Sequence, residues 1–104
     1  MITAETLINS GYRKYPATWR PYASAVYQKR VDDEHGKKYF VNVYEYAGTM
    51  SSPKYSYEGD AQFVDGYGNT FNVQLLHPES VEQVDEFFER IFVSLKCEHY
   101  EEWE

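Results

Sequence analysis

Between Ala25 and Leu76 the chain alternates apolar or aromatic with polar residues at a period of two, and this feature narrows the range of folds furthest. The runs "AVYQKRV" and "KKYFVNVYEYA" flank "DDEHG", where Asp32, Asp33 and Gly36 supply turn chemistry, so the pair reads as an antiparallel hairpin. After the polar connection "GTMSSP", the run "YSYEGDAQFV" sets Tyr57, Gly59, Ala61 and Phe63 against Glu58, Asp60 and Gln62. Past the turn "DGYGN", "TFNVQLL" sets Phe71, Val73 and Leu75 against Asn72 and Gln74. Four consecutive half-buried strands joined by short turns make a β-meander. With Tyr57, Phe63, Phe71 and Val73 pointing inward, Glu58, Asp60, Gln62, Asn72 and Gln74 point to water. Asn42 and Tyr44 join them if Val41 and Val43 point in. "YFVNVYEY" carries large groups on both parities, so this strand is expected to be covered on both sides; a second copy of the chain in a homodimer would provide the cover.

Helical periods bracket the strands. "TAETLINSG" reads as a short helix capped by Thr3, with Ala4, Leu7 and Ile8 on one face and Gly11 in the left-handed position past its end. "YRKYPATWRPY" then reads as an irregular connector, because Pro16 and Pro21 block a helix; Tyr15, Trp19 and Tyr22 are expected to pin it to the body. The last segment is a long helix. Ser80 and Gln83 form a capping box, Glu79, Glu82, Asp85 and Glu86 suit the positive end of the dipole, and Val81, Val84, Phe88, Ile91, Phe92 and Leu95 recur at three and four with Phe87 on the shoulder. The expected architecture is α-β-β-β-β-α, a single α+β domain over residues 1–104 with both helices on one side of a four-stranded antiparallel sheet.

Size and composition agree. A chain of 104 residues buries about two thirds of its extended surface, and the 18% of aromatic residues supply bulky groups for one core. No stretch approaches the roughly 18 apolar residues of a membrane span, and the N-terminus shows no secretion-signal pattern, so a cytoplasmic protein is expected. A lone Cys97 forms no internal disulfide and starts no Cys-x-x-Cys zinc site.

Candidate chemistries are few. Glu45, Glu58 and Asp60 could pair as acid and base, but a carboxylate pair needs a pocket and shifted pKa values. Cys97 and His99 are two apart and point in different directions on a helix, so they do not form a nucleophile and its base; Cys97 is expected to be a buried hydrophobe. His35 and His77 lack a metal-ligand neighbour, and "GYGNTF" precedes a strand instead of a helix, so it is no phosphate cradle. No catalytic, metal or cofactor site is expected.

Charge is the remaining signal. The net −7 argues against direct binding to nucleic acid. It is concentrated: residues 78–104 carry nine acids against Arg90 and Lys96, whereas the acids and bases before them cancel. A helix from Ser80 to Glu104 would span about 36 Å against about 20 Å for a six-residue strand, so its last turns should overhang the sheet. Glu98, Glu101, Glu102 and Glu104 would stand at the negative end of the dipole, each unfavourable by up to about 1 kcal/mol, so helix stability does not explain them. With Glu89, they form a candidate acidic surface anchored by Tyr100 and Trp103 that would dock on a basic protein; the alternative is that Tyr100 and Trp103 fold back onto the core and the glutamates only face water. The amides, carboxylates and tyrosine of the polar sheet face, Tyr44, Glu58 and Asp60 among them, are a second candidate surface, for a polar partner or a small ligand such as a nucleotide.

"FNVQLL", "VEQVDEFFERIF" and "CEHYEEWE" resemble segments of small acidic proteins encoded by tailed bacteriophages and prophages, in which a short N-terminal helix, a tyrosine-rich antiparallel sheet and a final acidic-aromatic helix recur. The resemblance implies a non-enzymatic inhibitor of host defence, similar to anti-CRISPR proteins. Such a protein would present carboxylates to a basic, nucleic-acid-binding defence component in the bacterial cytoplasm. Lys37 and Lys38 depart from a uniformly acidic mimic and confine that role to the last helix.

Overall fold

In a computed structural model the chain folds as two layers, a five-stranded antiparallel sheet and two helices. The structure describes all residues except 17–19, 21, 33–37, 49, 52–54, 65–67 and 104; of residues 95–103 it describes the helical backbone alone. The elements are α1 (Ala4–Asn9), β1 (Arg13–Tyr15), β2 (Ala25–Asp32), β3 (Lys38–Tyr46), β4 (Ser56–Val64), β5 (Thr70–Leu76) and α2 (Val81–Trp103). The strands pair in chain order, β1-β2-β3-β4-β5.

β1 corrects the expected count of four strands. "RKY" is too short to show an alternation, and it becomes a strand because the edge of β2 offers a ladder, Arg13 opposite Gln28 and Tyr15 opposite Val26. The connector thus begins only at Pro16, and Tyr22 does not pin it: this side chain is 96% exposed, on a backbone at φ +75°. Trp19, like the turn at 33–36, lies outside the described residues.

α1 is held at its start. Thr3 caps it in a reciprocal box with Thr6, and Ile2 and Leu7, at the two staple positions, are both buried. Ala4 and Ile8, expected to share the face of Leu7, are both exposed, Ile8 at 50%, so that Leu7 alone carries α1 into the core. Gly11 takes the left-handed conformation at φ +96°.

On β4 the inward row is Ala61 and Phe63, as the alternation implies; on β3 the open choice of parity resolves to Tyr39, Val41 and Val43, and β2 adds Ala25 and Tyr27, although Val26 on its other face is buried as well. The inward residues share one cluster with Ile2, Leu7, Val81, Val84 and Phe88, so both helices cover the same sheet face. Aromatic rings couple the layers. Tyr39 packs 4.6 Å from Phe92 and 5.3 Å from Phe63, and Phe63 lies 6.3 Å from Phe88. Gly59 on β4 admits the helix, since a Cβ there would stand 3.3 Å from the Phe88 ring.

The start of α2 is capped as expected, with one shift. The Gln83 amide N–H donates to Ser80 Oγ at 3.1 Å, but the Gln83 side chain accepts from the N–H of Glu79, at 2.6 Å, instead of that of Ser80. With 23 residues α2 is about 35 Å long. β3 and β4, at nine residues, reach about 30 Å, so the length difference is smaller than expected.

Candidate interaction surfaces

The burial of α2 decides which of its acids are available. Val81, Val84 and Phe88 are buried, with Phe87, Ile91 and Phe92 packed beside them, so Glu82, Glu86 and Glu89 fall on the opposite face and are exposed, continuing from exposed Glu79. Their spacing of four and three makes one ridge along the helix. The ion pairs among the described residues lie elsewhere: Arg20 with Glu58 at 2.6 Å, Lys29 with Asp85 at 2.8 Å, Arg30 with Asp32 at 2.9 Å. None of these ion pairs includes a carboxylate of the ridge.

Asp85 is different. It sits at the border of the stripe, where its carboxylate accepts the Tyr12 hydroxyl at 2.6 Å and pairs with Lys29, whose ammonium also lies 4.9 Å from the Tyr12 ring centre. Burial, then this bond, holds the Tyr12 hydroxyl well above its ordinary pKa.

Of the expected partner-binding residues, Glu89 is exposed on the ridge. Glu98, Tyr100, Glu101, Glu102 and Trp103 continue the helical backbone, and their side chains lie outside the described residues, as does that of Cys97. Glu82 and Glu86 belong to the surface too. The spacing 82, 86, 89 signals them in the sequence, beside the role that Glu82 and Glu86 have at the helix dipole.

The polar sheet face is largely engaged with itself. Register aligns Arg13, Gln28, Asn42, Asp60 and Gln74 in one row across all five strands. Within it the Gln28 amide donates to Asn42 at 3.0 Å, and the Asn42 amide donates to Asp60 at 3.1 Å. In the next row Tyr44 is only 6% exposed. The cover expected from a second copy comes from this chain: the Arg20 guanidinium lies 4.5 Å over the Tyr44 ring while donating to the Tyr46 hydroxyl and to Glu58. Burial pushes the Tyr44 hydroxyl up to about 12.

The three carboxylates considered for acid and base work are separated. Glu58 and Asp60 lie on the polar face, whereas Glu45, opposite Tyr57, lies on the helix-bearing face. Glu45 accepts from the Tyr57 hydroxyl at 2.9 Å and from Ser24 at 3.2 Å. It lines an open groove of about 690 Å³ with Ile2, Tyr55, Tyr57 and His77. Beside it the buried Tyr27 hydroxyl finds no hydrogen-bond partner among the described residues, and burial, then the Glu45 charge, raises its pKa. Among the described residues no three His, Cys, Asp or Glu side chains gather as a metal site, and no helix is long and apolar enough to cross a membrane.

No protein-family model matches the chain, and neither a curated protein nor a solved structure matches it.

Proposed function

We propose that the chain is a non-enzymatic interaction protein that docks the acidic outer face of α2 on a basic, nucleic-acid-handling protein of a bacterial host and inhibits it, in the manner of phage anti-defence proteins. The observation that carries this reading is the ridge of Glu82, Glu86 and Glu89, exposed along one helix face just past exposed Glu79 and outside the ion pairs of the described residues. Carboxylates at helical spacing on a rigid rod present negative charge in a fixed geometry, which favours a basic cleft by steering and by complementarity. The acids at 98, 101 and 102 follow further along the helical backbone, off the line of the ridge. A ligand-binding role for the polar sheet face has weaker support, since Asn42, Tyr44, Glu58 and Asp60 already hold partners within the chain.

The test is affinity capture from host lysate, comparing the wild-type chain with E82K/E86K/E89K and with E98K/E101K/E102K. The expected partner elutes with rising salt, is displaced by added DNA, and is lost by at least one variant. Full retention of the same partner by both reversed helices would end the reading.

A further inference from the structure

β5 is an outer strand of the sheet, and its second edge pairs with no strand among the described residues. Proteins usually blunt such edges with lysine, proline, a bulge or brevity. β5 uses none of these. Its seven residues, "TFNVQLL", contain no charge and no proline, and its register with β4 runs unbroken from Glu58 opposite Leu76 to Val64 opposite Thr70. The other outer strand, β1, is three residues long and carries Arg13 and Lys14, so one edge is protected and the other is open among the described residues.

We propose that β5 pairs with β5 of a second copy, antiparallel about a two-fold axis at Val73, joining two five-stranded sheets into one of ten strands. A second copy fits because the strand is its own complement in that register. Val73 meets Val73, Phe71 meets Leu75, Asn72 meets Gln74 and Thr70 meets Leu76. Apolar groups face each other on the helix side of the sheet, and on the polar side the two amide pairs are flanked by Thr70 against Leu76. Phe71, 37% exposed at the end of the aromatic cluster, gains the cover it lacks in the single chain.

Charge agrees with this arrangement. The two-fold axis keeps both copies of α2 on the same side of the joined sheet. Asp85 marks the flank of α2 over β1 and β2 by its bonds to Tyr12 and Lys29. Phe87, about 200° further round the helix, marks the flank over β5, together with Gln83, Arg90 and Ser94. No carboxylate stands among these four, so the helices approach without opposing acids, and the ridge of Glu82, Glu86 and Glu89 points away. A standard interface takes about 800 Å² from each partner, more than a seven-residue edge supplies, so the dissociation constant is expected on the order of micromolar.

Sedimentation velocity of the full chain from about 1 to about 300 μM brackets that range and should show monomer passing to dimer. N72K/Q74K puts lysine opposite lysine in both rows and should move the midpoint upward at least ten-fold, with the circular dichroism melt little changed because both positions are exposed. N72K/Q74E puts lysine opposite glutamate twice and should keep the dimer at low salt. A wild-type chain that stays monomeric throughout would overturn the proposal. So would a dimer that survives N72K/Q74K, which would place the interface elsewhere, or one that both variants dissolve alike. The result is independent of α2 docking, because neither variant alters the acidic ridge.

Discussion

Asp85 shows how one side chain can leave the pattern of its own helix. By sequence it groups with Glu79, Glu82 and Glu86 as a partner of the helix dipole, yet its carboxylate turns to the sheet and joins Tyr12, 73 residues away, to Lys29. Nothing local announces this, because a border position on an amphipathic helix is acceptable to polar and apolar residues alike. Tyr12→Phe removes one hydrogen bond to a charged group and leaves the Lys29 pair in place. The expected loss is about 1.5 kcal/mol in urea unfolding, with no change in the far-ultraviolet spectrum. Two other tyrosines predict alkaline behaviour. Burial raises both Tyr39 and Tyr44 from 10.0 to about 12. A phenol whose folded pKa is raised stays neutral in the native state while the unfolded chain ionises, so its contribution is complete below pH 10 and is lost as pH climbs from about 10 to about 12. Thermal melts at successive pH values should show a steep fall in that window, and a flat profile across it would contradict the burial of these rings.

At the scale of elements, the strands of the meander and α2 were legible because each carries its own period over enough residues, and α1 by its cap at Thr3. β1 was not, since a three-residue strand has no period and exists only through its pairing with β2. The polar face was legible as a list of residues and not as a network: alternation names the outward positions, but the cover over Tyr44 comes from Arg20, outside the strands. Gly59 makes the approach of α2 to β4 testable. Gly59→Val would drive a branched side chain into the Phe88 ring and should cost about 1–3 kcal/mol in chemical denaturation, although valine is the better strand former. Ser80→Ala removes the cap of α2, and its expected cost is about 1 kcal/mol.

For the molecule as a whole, charge and fold make separate claims. A net charge of −7 gathered after Pro78 repels itself in the compact state, and salt screens that repulsion. Raising sodium chloride from about 0.02 to about 0.5 M should lift the melting temperature by roughly 2–4 °C, the effect of about half a kcal/mol in a domain of this size. A fall would mean that the three ion pairs outweigh the repulsion. Local pattern carries the two-layer α+β class, the inward and outward rows of β4 and β5, the caps at Thr3 and Ser80, and the acidic character of the last quarter. All of these follow from periodicity, turn chemistry and composition, which act over neighbouring residues. Long-range contacts alone make β1 complete the sheet, turn Asp85 from the acidic face, part Glu45 from Glu58 and Asp60, and leave the second edge of β5 without a strand among the described residues. Those outcomes depend on which distant segments meet, and a contact between residues far apart in the chain leaves no mark on the local pattern of either.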